Sequence, residues 1–238
     1  MPDATLVLLA PIGLDAACWD AVELPEVPIR RHVFPGFGSR SRAPEQPTMQ
    51  SLADEVLALY EGTLDVVGVS MGGMVAQHVA LGAPGRVRSL LVACTGASVD
   101  PAVMAARALQ AEERGMAGVL EETLARWFTP AALSTPGHPG VTYARETLLE
   151  LDPGCFADGW RAIATHDAGA RLSELSLPTT CVAGRGDPVG TVERVRALSD
   201  AIDGSRLVVI DGPHMIQLEE PAAFGRALAD HLARVGEG

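Results

Sequence analysis

Basic charge is scarce in this sequence. Its 238 residues carry 18 Lys and Arg against 30 Asp and Glu, a formal net charge of −12. Nucleic acid and anionic membrane surfaces both demand a basic field, so neither is an expected partner. An anionic substrate would have to be drawn in by local arginines. Cysteine is equally thin. Cys18, Cys94, Cys155 and Cys181 are scattered without CxxC or CxxH spacing, which argues against a zinc site or a disulfide scaffold and for free core thiols. Met1-Pro2-Asp3 lacks the basic segment of a secretory signal. The apolar run at 6–14 is broken by Pro11 and Gly13 and is far too short to span a bilayer. A cytoplasmic protein with no cofactor is therefore the expectation. There is no repeat and no low-complexity segment. With 47% hydrophobic and 20% charged residues, one sizeable core is within reach.

What is present is an alternation of buried strands and helices. Residues 5–10, 65–69 and 87–93 are short apolar runs without polar alternation, as expected of parallel strands covered on both faces. Residues 29–34 read as a further strand, ended by Pro35-Gly36. Leu52, Val56, Leu59 and Tyr60 form one helix face, and 71–81 is an apolar helix. From about 100 to 170 the strand pattern stops. Four helices are expected there instead, at 102–113, 117–128, 141–151 and 156–165; Leu120, Leu124, Trp127 and Phe128 mark the buried face of the second. Strands then resume at 179–183 and 206–210, with helices near 192–202 and 221–235. The expected architecture is α/β: a mostly parallel sheet of about six strands built from 1–100 and 171–238. Residues 101–170 would form a helical lid inserted before the strand at 179–183.

Gly68-Val69-Ser70-Met71-Gly72 is a G-x-S-x-G. Glycines near 10% and serine near 5% give roughly 0.1 chance matches in a chain of this size, so the motif alone decides little. Its context decides more, because it lies where a buried strand ends and an apolar helix begins, as a nucleophile elbow requires. The bland alternative is a glycine-rich turn with an idle serine. A phosphate cradle is disfavoured because no lysine follows. A serine needs a base, and the base needs an orienting acid. Among six histidines, His214 in Asp211-Gly212-Pro213-His214 falls just beyond the last strand, above the sheet edge. His32, His78, His138, His166 and His231 lie in a strand, helices or a Pro/Gly loop and read as packed or surface residues. Asp187, in Gly184-Arg185-Gly186-Asp187-Pro188, follows a strand and precedes the histidine. Asp100 is its rival, and a plain turn role for Asp187 stays open. The oxyanion donors expected are the amides of Met71, just after Ser70, and Ile12, in the loop after the first strand; Pro11 has no N–H to give.

With these residues placed, the chain resembles the 3-oxoadipate enol-lactonase branch of the α/β-hydrolases. The resemblance runs through Gly13 with Trp19-Asp20, through the elbow extended to Gly73-Met74-Val75-Ala76-Gln77, and through Arg86-Val87-Arg88. In the insertion it includes Arg114-Gly115-Met116, Arg126-Trp127-Phe128-Thr129-Pro130, Asp152-Pro153-Gly154, and Ile163 with Asp167. It departs in three places. The two-stranded hairpin that usually opens that family is absent, Ala10-Pro11 stands where a His-Gly or Asn-Ser pair is common, and Pro35-Gly36-Phe37-Gly38 looks more like carboxylesterases of the biotin pathway. The resemblance implies a cofactor-independent hydrolase of a small-molecule ester or lactone, with Arg126 and Trp127 holding the substrate. A carboxylesterase or thioesterase acting on an open-chain acyl group, or a hydrolase-fold ligand-binding protein, are the alternatives.

Overall fold

The computed structural model describes residues 4–236. Six strands form one sheet: β1 (Thr5–Leu9), β2 (Ile29–His32), β3 (Leu64–Val69), β4 (Val87–Ala93), β5 (Thr179–Gly184) and β6 (Arg206–Ile210). The order is β2-β1-β3-β4-β5-β6 and every pairing is parallel. All residues of β3 and β5 are buried, which explains their unbroken apolar sequences. Among the described residues no antiparallel hairpin precedes β1. The helices are α1 (Met49–Leu59), α2 (Met71–Gly82), α3 (Pro101–Trp127), α4 (Pro130–Ser134), α5 (Pro139–Glu150), α6 (Pro153–Ile163), α7 (Val192–Asp200), α8 (Ile216–Glu219) and α9 (Pro221–Gly236). No described helix is long and apolar enough to cross a membrane.

The chain moves from β1 outward to β2, then returns to place β3 on the other side of β1. This reversal leaves a crevice beyond the carboxyl ends of β1 and β3, the usual ligand position in open α/β sheets. Register sets Leu9 beside Gly68, so the loop after β1 and the turn after β3 emerge together.

Between β4 and β5 the expected helices form, and their starts are written in the sequence. Asp100, Thr129, His138 and Asp152 each cap a helix whose first residue is proline. Gly115, at φ 64°, interrupts α3 where the sequence separated two helices. The short α4 and α8, and the 3₁₀ turns Ala16–Trp19 and Gly169–Glu174, were not anticipated from periodicity. Single turns are too short to show one. The base of the inserted segment is closed by a bridge between Ser98 and Asp167 and by Ala168 N–H donating to Ala97 C=O at 2.8 Å. Farther out, Arg42 grips Asp158 with two donors, at 2.6 and 3.0 Å, and Tyr143 donates to Asp15 Oδ1 at 2.8 Å.

Three histidines outside the elbow are core residues: His32, His166 and His231 are each 2% exposed. Burial drives each pKa down to about 4, opposed in part by Glu55 for His32, by the Gly96 carbonyl for His166 and by Asp65 for His231. The neutral ring is therefore favoured in the fold, while the unfolded chain takes up protons near pH ~6.5. Stability from these groups is complete above that value and is lost as pH falls from there towards 4, on the order of 3 kcal/mol per histidine at most. Thermal melts followed by circular dichroism should show Tm dropping steeply between pH 6.5 and 4.5. A flat Tm across that window would contradict it.

Candidate active site

Ser70 joins β3 to α2 with φ 54° and ψ −118°, a conformation L-residues rarely adopt. Its N–H donates to Ala93 C=O at 2.9 Å, and its C=O accepts from Met74 N–H at 3.0 Å. The flanking glycines are steric necessities. A Cβ on Gly68 would stand 2.2 Å from the Gly72 carbonyl oxygen, and one on Gly72 would stand 2.1 Å from that of Leu9. Removing both side chains lets the turn close against the end of β1 and raises the Ser70 hydroxyl above the sheet.

His214 reaches the same point from the loop after β6. Its Nε2 lies 2.9 Å from Ser70 Oγ, and its Nδ1 lies 2.8 Å from Asp187 Oδ2. The other oxygen of Asp187 accepts from the amides of Val189 at 2.7 Å and Gly190 at 3.0 Å. Burial pushes the Asp187 carboxyl towards protonation, but the charge and hydrogen bond of His214 and the two amides outweigh it and hold the pKa below the ordinary value. The acid is thus ionised beside the imidazole. Asp100, the rival, instead accepts from Ala102 N–H at 2.9 Å as the cap of α3.

Ser70 and His214 open into a cavity of about 290 Å³ walled by Ile12, Met74, Met104, Trp127, Trp160 and Ile163, among others. Ile12 and Met71 are both buried beside the elbow, and among the described residues neither amide donates to a protein acceptor. Arg126 and Trp127 also line this cavity, from the last turn of α3. Trp127 packs with Leu120 and Leu124 as the helix periodicity indicated, so it belongs to the segment's core and to the wall together. Arg126 donates to Glu122 at 2.7 Å and to Thr123 Oγ1 at 3.1 Å, while its buried Nε has no acceptor.

Sequence reasoning passed over Thr95, Arg107, Trp160 and the Val189-Gly190 amides. Thr95 lines the cavity with a buried hydroxyl that lacks a partner. Nothing in its local sequence signals this, because the strand end that presents it also carries Cys94 at φ 53°. Cys94 is no rival nucleophile: burial pushes its thiol far up, and Asp187 adds to the effect. All four cysteines are free and buried. Among the described residues no group of three or more His, Cys, Asp or Glu side chains is arranged to hold a metal ion.

Residues 6–227 match the model of the alpha/beta hydrolase family. The chain belongs to that family. This alpha/beta hydrolase is 29% identical over 204 residues to 3-oxoadipate enol-lactonase 2 of Acinetobacter baylyi, covering 84% of this chain and 76% of the relative. It is also 29% identical over 233 residues to a pimeloyl-[acyl-carrier protein] methyl ester esterase of Aeromonas hydrophila, covering 92% and 91%. Among solved structures, the enol-lactonase from Burkholderia xenovorans LB400 superimposes with a TM-score of 0.92 at 26% identity, over 98% of this chain and 92% of that one. A hydrolase from Pseudomonas aeruginosa PA01 gives 0.88 at 31% identity, over 97% and 90%.

Proposed function

We propose that this protein is a serine hydrolase that cleaves a small carboxylic ester or lactone through an acyl-enzyme. The observation that carries the reading is the unbroken chain Ser70 Oγ, His214, Asp187 opening on a cavity of about 290 Å³. Ser70 Oγ attacks the substrate carbonyl carbon while His214 Nε2 takes its proton. Asp187 holds the ring through Nδ1–H and stabilises the imidazolium. The oxyanion that forms accepts from the Met71 and Ile12 amides, whose lack of protein acceptors suits the role. Collapse expels the alkoxide, which takes the proton from His214. Water then attacks the acyl-Ser70 ester with His214 again as base, releasing the acid and restoring the serine. Residues 101–170 act as a lid over this chemistry, Trp127 as a wall and Arg126 as a cation for an anionic substrate.

A substrate tethered to a carrier protein is the second reading, favoured by the methyl ester esterase relative. Charge speaks against it. Arg114, Arg126, Arg145 and Arg161, four of the lid's five arginines, are each paired with a carboxylate, and the chain's net charge of −12 would repel an anionic carrier.

A fluorophosphonate should add once to the protein by intact mass, at Ser70, and a panel of lactones, aryl esters and thioesters should show turnover strongest on small lactones or esters. Adducts that persist in Ser70→Ala would overturn the nucleophile. Tight retention of one panel member with no hydrolysis of any would mark a ligand-binding protein instead.

A further inference from the structure

The two amides that would receive the oxyanion are not held alike. Met71 opens α2 directly after Ser70, whose N–H and C=O are both tied into the backbone, to Ala93 and Met74. Ile12 lies three residues past the end of β1, beyond the reach of strand pairing. Its turn is closed by a long contact, Leu14 N–H to Pro11 C=O at 3.4 Å. A donor lowers a barrier only when its position is fixed before the charge develops. Whatever steadies the loop at 11–15 therefore acts on the reaction.

Helices α5 and α6 press on that loop. A Cβ on Gly13, which has φ 74°, would stand 3.0 Å from Leu148 of α5 and 3.0 Å from Phe156 of α6. One on Gly159 of α6 would stand 3.0 Å from the Ile12 side chain. Apolar contacts are non-directional, so they limit the height of the loop more than its register. A polar tie supplies the register. Tyr143, half-buried on α5, donates its hydroxyl to Asp15 Oδ1 at 2.8 Å and accepts from Asp15 N–H at 3.3 Å; the Asp15 carbonyl oxygen lies 3.5 Å from the same hydroxyl. The same Oδ1 accepts from Ala17 N–H at 2.9 Å, capping the turn that follows. Among the described residues no other hydrogen bond joins the inserted segment to 10–15. Burial pushes the phenol pKa up, and Cys18 and Asp15 add to it, so the hydroxyl keeps its proton. Tyr143 does not line the cavity, so it has no direct access to a substrate there.

We infer that Tyr143 is a positioning residue for the oxyanion site: through Asp15 it holds the loop so that the Ile12 amide faces the carbonyl oxygen as that oxygen becomes negative. The role rests on the hydrolase reading, with Ile12 as a donor; the tie itself does not. The inserted segment then contributes to the rate as well as to the cavity wall. An amide aimed at a developing charge matters more in the transition state than in the bound ester. Loosening it should therefore lower kcat and spare KM.

Tyr143→Phe in the full-length protein removes the hydroxyl and keeps the ring. On the best ester of the panel kcat should fall about 5- to 30-fold, less than the loss of a whole oxyanion donor, with KM within about twofold. Phenylboronic acid is the second probe. Its boron accepts a lone pair from Ser70 Oγ while His214 takes the proton, and a boron-bound oxygen then occupies the oxyanion position. Its Ki should rise by about the same factor as kcat falls. The rising limb of kcat/KM against pH should stay in place, because His214 and Asp187 are untouched. Asp15→Ala should reproduce the loss, and Asp15→Asn, which keeps an acceptor for Tyr143 and Ala17, should recover most of it. Tyr143→Phe added to Asp15→Ala should cost little more, since the two act through one bond. Deuterium exchange in a peptide covering 10–18 should quicken in Tyr143→Phe while circular dichroism shows an intact fold. An unchanged kcat, a loss carried by KM, or an unchanged exchange rate each overturns the positioning role. A wild-type protein that neither hydrolyses an ester nor reacts with a fluorophosphonate rejects the hydrolase reading and this role with it. An active, labelled wild type beside an equally active Tyr143→Phe rejects the role alone.

Discussion

Ser70→Ala should lower kcat/KM by about 10⁴- to 10⁶-fold, and His214→Ala should do nearly the same. Removing both should cost little beyond either single change. The serine hydroxyl is a poor nucleophile until the imidazole 2.9 Å away takes its proton, and the imidazole contributes to acylation only by taking it. Each group thus acts only through the other, and their losses cannot add. The fold should tolerate both changes. Ser70→Ala keeps the Cβ that already occupies the strained turn, and it removes only one hydroxyl whose partner is His214. The check is kcat/KM of both single variants and the double variant on the best ester of the panel, with circular dichroism to confirm folding. Two losses that multiply in the double variant would mean independent roles and would defeat the nucleophile–base assignment.

The reason so much of this site can be read from sequence is that its parts sit at strand ends. A strand buried on both faces leaves a run such as 65–69, and the turn that follows must contain small residues wherever backbones come within contact. Gly68 and Gly72 are therefore visible in the sequence for the reason they are needed in space. His214 and Asp187 could be chosen because each follows a strand of one parallel sheet, whose carboxyl ends all point to one side. The helices of the inserted segment are legible from the Gly and Pro that divide them and from the apolar spacing of Leu120, Leu124 and Trp127.

What periodicity could not supply was which exposed-looking positions turn inward. Arg107 sits among alanines and leucines on a helix whose neighbouring Leu109 is 52% exposed, so its sequence surroundings suggest a solvated cation. Only the packing of α6, which brings Trp160 beneath it, makes it part of the wall. Thr95 was hidden in the same way. Its place on the cavity wall follows a strand-end kink at Cys94 that no pattern of hydrophobicity encodes. The expectation for Arg126 and Trp127 comes from likeness to a family rather than from spacing, because their helix face is also what an ordinary helical core would show; both line the cavity.

Asp187→Asn should leave the fold intact and still reduce kcat/KM by about 10³- to 10⁴-fold. The hydrogen bonds dictate why. Two amides, of Val189 and Gly190, point at Oδ1 and require an acceptor there. An asparagine must therefore place its oxygen at that position, which turns its NH₂ towards His214 Nδ1. A donor facing Nδ1 forces that nitrogen to accept, so the ring proton moves to Nε2, opposite Ser70. The histidine then has no lone pair for the serine proton, although every heavy atom stays in place. The loss should fall on kcat more than on KM, because the substrate is bound by walls that do not change. Asp100→Asn is the control, since it touches the cap of α3 and not His214. It should keep activity within about threefold, because asparagine caps helices about as well as aspartate. An active Asp187→Asn beside an inactive Asp100→Asn would move the acid to the loop after β4 and reject the triad as drawn.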